Sequence, residues 1–248
     1  MKKLNLFITL LISVCMFSQK ENQILKIKYN LIPFSQHYFN HDASTPQETK
    51  DFDIALRSGY NFNFSLYYNL KEKKSIFILD TLIVTKVKGK EDYWTDPENK
   101  INFCFTEKDG SYKRKEQVFD QEIYVTGNKN DIEWEFLNET KDILGYKCHK
   151  AISKNKELLL TVWFTKEIPI QAGPSLYNNL PGIVLWAEDY FNTISVSKIS
   201  YEKNITNYNN AVLKISAFLK KVDEDDFSKE NVFLHRKAQL ISQLKSMR

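Results

Sequence analysis

The sequence predicts a mainly β protein built on an antiparallel sheet and ending in a helix. Two observations carry this. Aromatic residues make up 14% of the chain while glycine occurs only seven times, a balance suited to pleated, aromatic-packed strands. Apolar residues also recur at every second position in several short runs separated by turn residues. The 248 residues fit a single core. Hydrophobic residues at 42% and charged residues at 27% exclude bulk disorder.

The chain opens with Lys2-Lys3 and the apolar stretch Leu4 to Phe17, the pattern of a secretory signal peptide over residues 1–18. Residues 19–248 then form one β domain. Cleavage is expected after Ser18, with export to the periplasm or association with the outer membrane. Attachment of lipid at Cys15 is the alternative, although Val14 stands where lipoprotein processing requires a small residue.

Leu25, Ile27 and Tyr29 alternate with Lys26 and Lys28, predicting a first strand. Pro33 to Lys50 has no clean period and reads as a long loop. Phe62, Phe64, Leu66, Tyr68 and Leu70 form the clearest period-two run, a strand with one face in the core. Lys71 to Ser75 is a turn, and Ile76 to Lys88 supplies one or two more strands. Shorter strands are expected at 101–106, 122–126 and 132–136, with Asp109-Gly110 and Gly127-Asn128 as turns. The series continues at 145–152, 158–165, 183–187, 193–201 and 211–221. A terminal helix over 228–247 is capped by Ser228, with Phe233, Lys237, Leu240, Leu244 and Met247 on one face.

Composition excludes some functions. Thirty-five basic against 31 acidic residues give a net charge of +4, or +2 once Lys2 and Lys3 leave with the signal peptide, which is no nucleic-acid signature. Without the leader two cysteines remain, Cys104 and Cys148. In an oxidising compartment they either form one disulfide or stay as two buried thiols. His37, His41 and Asp42 form the one ligand-like cluster, a weak candidate for a metal because no third ligand is near. There is no GxSxG elbow, P-loop or GxGxxG, and no catalytic residue or cofactor is assigned. Glu133 and Glu135 alternate with Ile132, Trp134 and Phe136 and are expected to face solvent.

The segments GYKCHKA at 145–151 and TVWFTKEIPIQAGPSLYNNLPGIV at 161–184 resemble the GLPGLI family of exported proteins from the Bacteroidetes. Leu180, Pro181 and Gly182 match its eponymous core, Ile183 and Val184 are apolar replacements, and Asn179 stands in place of the leading glycine. Gly173-Pro174 and Ile168-Pro169 also look like the family. The resemblance implies a curved sheet forming a bowl or half-barrel, similar to the bowl-like N-terminal domain of a type II peptide N-glycosidase F. That domain is separate from the catalytic one, so the resemblance carries over no catalytic residue.

Pro181 and Gly182 suit the central positions of a type II turn, with glycine at positive φ. A glycine replaced at 179 raises the same question there, since Asn adopts positive φ less readily. The loop between the Gly-Pro and Pro-Gly pairs either fixes strand register or forms a lip at the bowl's rim beside Tyr177, Trp163 and Trp186. The functional expectation is an exported binding or carrier module for a lipid-like, glycan or peptide ligand. The alternatives are an envelope hydrolase or metal-dependent enzyme and a structural partner of an outer-membrane protein.

Overall fold

Strand pairing in the computed structural model, which describes residues 23–33, 35, 41, 43–85, 102–118 and 121–246, unites the β-structure in one open twelve-stranded sheet. The leader, Cys15, His37 and Asp42 lie outside the described residues. The strands are β1 (Ile24–Pro33), β2 (Tyr60–Asn69), β3 (Lys74–Val84), β4 (Phe103–Thr106), β5 (Ser111–Val118) and β6 (Gln121–Asn128). They continue as β7 (Trp134–Ile143), β8 (Tyr146–Ser153), β9 (Thr161–Thr165), β10 (Ile183–Glu188), β11 (Asn192–Glu202) and β12 (Phe227–Lys229). Among the described residues three helices accompany them: α1 (Gln47–Gly59), α2 (Thr206–Leu219) and α3 (Glu230–Ser246).

The order across the sheet is β12-β6-β5-β4-β3-β2-β1-β11-β10-β9-β8-β7. Every pair is antiparallel except β12, which runs parallel to β6. Sequential strands are mostly hairpin neighbours, and β1 joins the two runs by pairing with both β2 and β11.

Register separates the two faces, because directly paired residues point the same way. Cys104, Phe77, Leu66 and Ile27 lie opposite one another in turn, followed on the same face by Leu31, Ile194, Ala187, Val162 and Ala151. This face holds the main core, covered by the segment between β9 and β10 and by α3, from which Phe233, Leu234 and Ala238 pack inward. The opposite face carries a smaller core where Tyr208, Ala211 and Ile215 of α2 cover Ile76, Ile78 and Phe103. Helix α3 touches β6 and β12 near one edge and the 3-10 turn Lys156–Leu158, which follows β8, near the other. One helix reaching both ends requires the sheet to bend around it, the expected bowl or half-barrel.

Three expected elements differ. Residues 211–221 are not a strand: 211–219 belong to α2, where Tyr208, Ala211 and Ile215 recur at helical spacing, and 220–221 are the turn after it. The loop expected over 33–50 ends early, since Gln47 to Lys50 open α1 behind Pro46. Ser228 does not cap the last helix; it pairs with Val125 in β12, and α3 begins at Glu230.

Candidate functional site

The segment 166–182 folds into the bowl and does not stand at its rim. Ala172, Leu176, Tyr177 and Leu180 are all buried, and Pro181 is exposed. Ala172 accepts a hydrogen bond from the Val184 N–H at 3.1 Å, and Ile168 one from the Ile183 N–H at 3.1 Å. Trp134 Nε1 donates to the Asn178 carbonyl at 3.1 Å, and the Tyr29 hydroxyl to the Val184 carbonyl at 2.5 Å.

The type II turn expected at Pro181-Gly182 is not formed, because Gly182 is not at positive φ. Glycine is needed there for closeness: a Cβ would stand 1.9 Å from the Thr165 carbonyl oxygen. Gly173 is alike, with a Cβ position 1.9 Å from the Tyr177 carbonyl oxygen. Positive φ occurs instead at Asn179, at 60°, and at Ser175, at 51°. Asn179 Nδ2 also donates to Asn130 Oδ1 at 3.2 Å.

Beneath α3 lies a buried charge network that sequence reasoning missed. Arg114 of β5 makes a bidentate pair with Glu230, at 2.9 Å from Nε and 2.7 Å from Nη2, and both side chains are about 1% exposed. The Tyr112 hydroxyl donates to the same carboxylate at 3.0 Å. Glu116 pairs with Arg114 Nη1 and lies 3.6 Å from Lys237 Nζ. Lys237 donates to Asp189 Oδ2 at 2.7 Å, and the Tyr177 hydroxyl donates to the same oxygen at 3.1 Å. The other oxygen of Asp189 accepts from the Phe191 and Asn192 N–H groups at 2.8 and 2.7 Å.

Burial acts to raise the Asp189 pKa, but Lys237 and the two N–H groups outweigh it and hold the carboxyl below its usual range. Burial and the adjacent carboxylate push the Tyr177 phenol well above its ordinary value. Three carboxylates share the two cations Arg114 and Lys237, with Glu116 between them, and the network locks α3 to β5 and to the turn after β10.

His41 Nε2 pairs with Asp53 Oδ2 of α1 at 3.2 Å, and His37 and Asp42 are outside the described residues. No group of three potential metal ligands occurs among the described residues. Cys104 and Cys148 are free and buried, in strands seven places apart. Register directs Cys104 to the α3 face and Cys148 to the opposite one. Burial pushes the Cys104 thiol up to about 12 and the Cys148 thiol up to about 11.

On that opposite face a row of directly paired residues crosses seven adjacent strands. Thr81 faces Asn63, Asn63 faces Asn30, Asn30 faces Ser195, Ser195 faces Trp186, Trp186 faces Trp163, and Trp163 faces Lys150. Strands lie about 4.8 Å apart, so the row runs about 29 Å. Asn63 Nδ2 donates to Thr81 Oγ1 at 3.1 Å. The Lys141 ammonium lies 4.3 Å from the Trp163 ring centroid and 4.5 Å from that of Trp186, bridging the two indoles. Lys150 is held by both Glu139 carboxylate oxygens at 3.0 Å. Trp163 and Trp186 therefore belong to the face away from Tyr177, a correction to the expected lip.

This architecture defines a β-sheet module: a bent twelve-stranded sheet, packed on one face by its own loop and last helix and carrying a polar and aromatic row on the other. Residues 96–227, a little over half of the chain, match the family model PNGase_F-II_N, described as N-glycanase peptide, N-terminal domain, and the chain belongs to that family. Among solved structures, PNGF-II in one crystal form is similar at 14% identity and a TM-score of 0.46, covering 90% of this chain and 34% of its own. A second crystal form gives 13% identity and a TM-score of 0.45, with 90% and 33% covered. An uncharacterized conserved protein from Thermus thermophilus follows at 8% identity and a TM-score of 0.34, with 86% and 93% covered. The chain thus spans about a third of the length of the PNGF-II chains. No curated protein matches.

Proposed function

We propose that the chain is an exported binding module that holds its ligand on the outward face of the sheet. The observation that supports this is the cross-strand row itself: hydroxyls and amides run directly into two adjacent indoles, Trp186 partly exposed and Trp163 buried behind it, on the face opposite the one to which register turns Ile27, Leu66 and Phe77. A lipid carried in the bowl would compete with that segment and helix for the same core. A glycan or a peptide on the outward face meets no such competition. The basic, apolar start of the sequence supports export, and the Leu180-Pro181-Gly182 segment supports placing the chain among the GLPGLI proteins of the Bacteroidetes.

The test is mass spectrometry of the protein purified gently from the cell envelope of its own host. The denatured chain is expected to lack residues 1–18, and the native spectrum to show a ligand mass that disappears on denaturation. An intact leader on protein recovered from the cytoplasm, with no added mass, would overturn the proposal.

A further inference from the structure

The geometry points to a neutral oligosaccharide as the ligand, lying across the strands along the row from Thr81 through Asn63, Asn30, Ser195 and Trp186 to Trp163, an assignment that rests on the binding-module reading above. The first four positions are uncharged on four neighbouring strands. Each offers a hydroxyl or an amide, groups that both donate and accept, as sugar hydroxyls do. Among the described residues the Asn30 amide and the Ser195 hydroxyl have no hydrogen-bond partner, whereas Asn63 and Thr81 hold each other at 3.1 Å. At the other end the partly exposed Trp186 indole, with Trp163 buried beside it, gives an apolar face of the kind that stacks on a pyranose ring. A peptide strand would bond to a sheet edge through its backbone, but this row lies on a face in mid-sheet, where the backbone groups are already paired.

Lys141 determines how that platform is used. Its ammonium sits over both indole rings, and its side chain is exposed on the edge strand β7, so it can leave on a flexible stem. A sugar stacking on Trp186 must displace it. Lys141 is therefore a resident competitor, and its removal is expected to strengthen binding, whereas loss of an ordinary contact weakens it.

The experiment is a titration of the mature protein, followed by tryptophan fluorescence, against chitohexaose, cellohexaose, mannohexaose and neutral glycans released from glycoproteins. Four single variants accompany it, each checked for an unchanged thermal transition. At least one of these sugars is expected to bind, about tenfold more weakly in Trp186→Ala and in Asn30→Ala. Binding should tighten severalfold in Lys141→Ala. It should not change in Phe136→Ala, which by its pairing with Ala151 lies on the α3 face. Failure of all these sugars to bind, or equal binding by the wild type and Trp186→Ala, would overturn the assignment. If the native ligand proves to be a lipid or a peptide that Trp186→Ala no longer retains, the sugar is wrong and the binding module stands. If no ligand is retained at all, both fail.

Discussion

At the scale of single residues, the two glycines of the buried loop are held by backbone proximity. Gly182→Ala drives a methyl group into the Thr165 carbonyl and is expected to cost about 3 kcal/mol, at the upper end for overpacking, as read from chemical denaturation. Asn179 behaves differently. At a φ of 60° it accepts glycine within about 1 kcal/mol, whereas the β-branched side chain in Asn179→Val costs about 2 kcal/mol. The Leu-Pro-Gly spelling marks this loop in the sequence, yet turn rules place the positive φ at Gly182. A sequence shows that a glycine is present; whether it is required for dihedral freedom or for space depends on the strand packed beside it, here the end of β9. Cys104 and Cys148 present the same difficulty, because spacing leaves a disulfide open while register turns the two thiols to opposite faces.

At the scale of elements, the alternating strands at 24–33 and 60–69 were the most legible, since one face of each is apolar and buried. Strand β5 was not legible. Its inward residues are Tyr112, Arg114 and Glu116, and two charges in three inward positions read as solvent until Glu230 and Lys237 arrive from α3 to neutralise them. Helix α2 was hidden for a different reason, as its β-branched and aromatic residues favour a strand when read locally. The pairing makes a sharp prediction. Glu230→Ala leaves Arg114 buried without its bidentate partner and is expected to lower stability by about 3 to 5 kcal/mol. The double variant Glu230→Leu, Arg114→Met should recover much of that loss in the same denaturation assay, because apolar groups of similar volume restore packing without stranding a charge.

For the molecule as a whole, the bent sheet is closed by one helix that is held through buried charged groups, Glu230 on Arg114 and Lys237 on Asp189. Asp189 is held below its ordinary pKa, so its contribution is present above about pH 4, the unfolded value, and is lost as pH falls through the folded one. Acid unfolding is therefore expected to be less steep in Asp189→Asn, measured by circular dichroism across a pH series. The buried phenols and thiols act in the other direction. Their folded pKa values are raised, so stability is complete below the ordinary thiol range of about 8.5 and declines as pH climbs beyond it.

The division of labour between the two faces is the central claim, and the indole N–H signals of ¹⁵N-labelled protein report on it directly. Trp134 is bonded to the Asn178 carbonyl on the α3 face, whereas Trp163 and Trp186 lie on the other. During titration with the oligosaccharide bound best, the signals of Trp186 and Trp163, assigned by Trp→Phe variants, should move with saturation while that of Trp134 stays in place. Movement of the Trp134 signal with Trp163 and Trp186 unmoved would contradict the account and put the ligand inside the bowl.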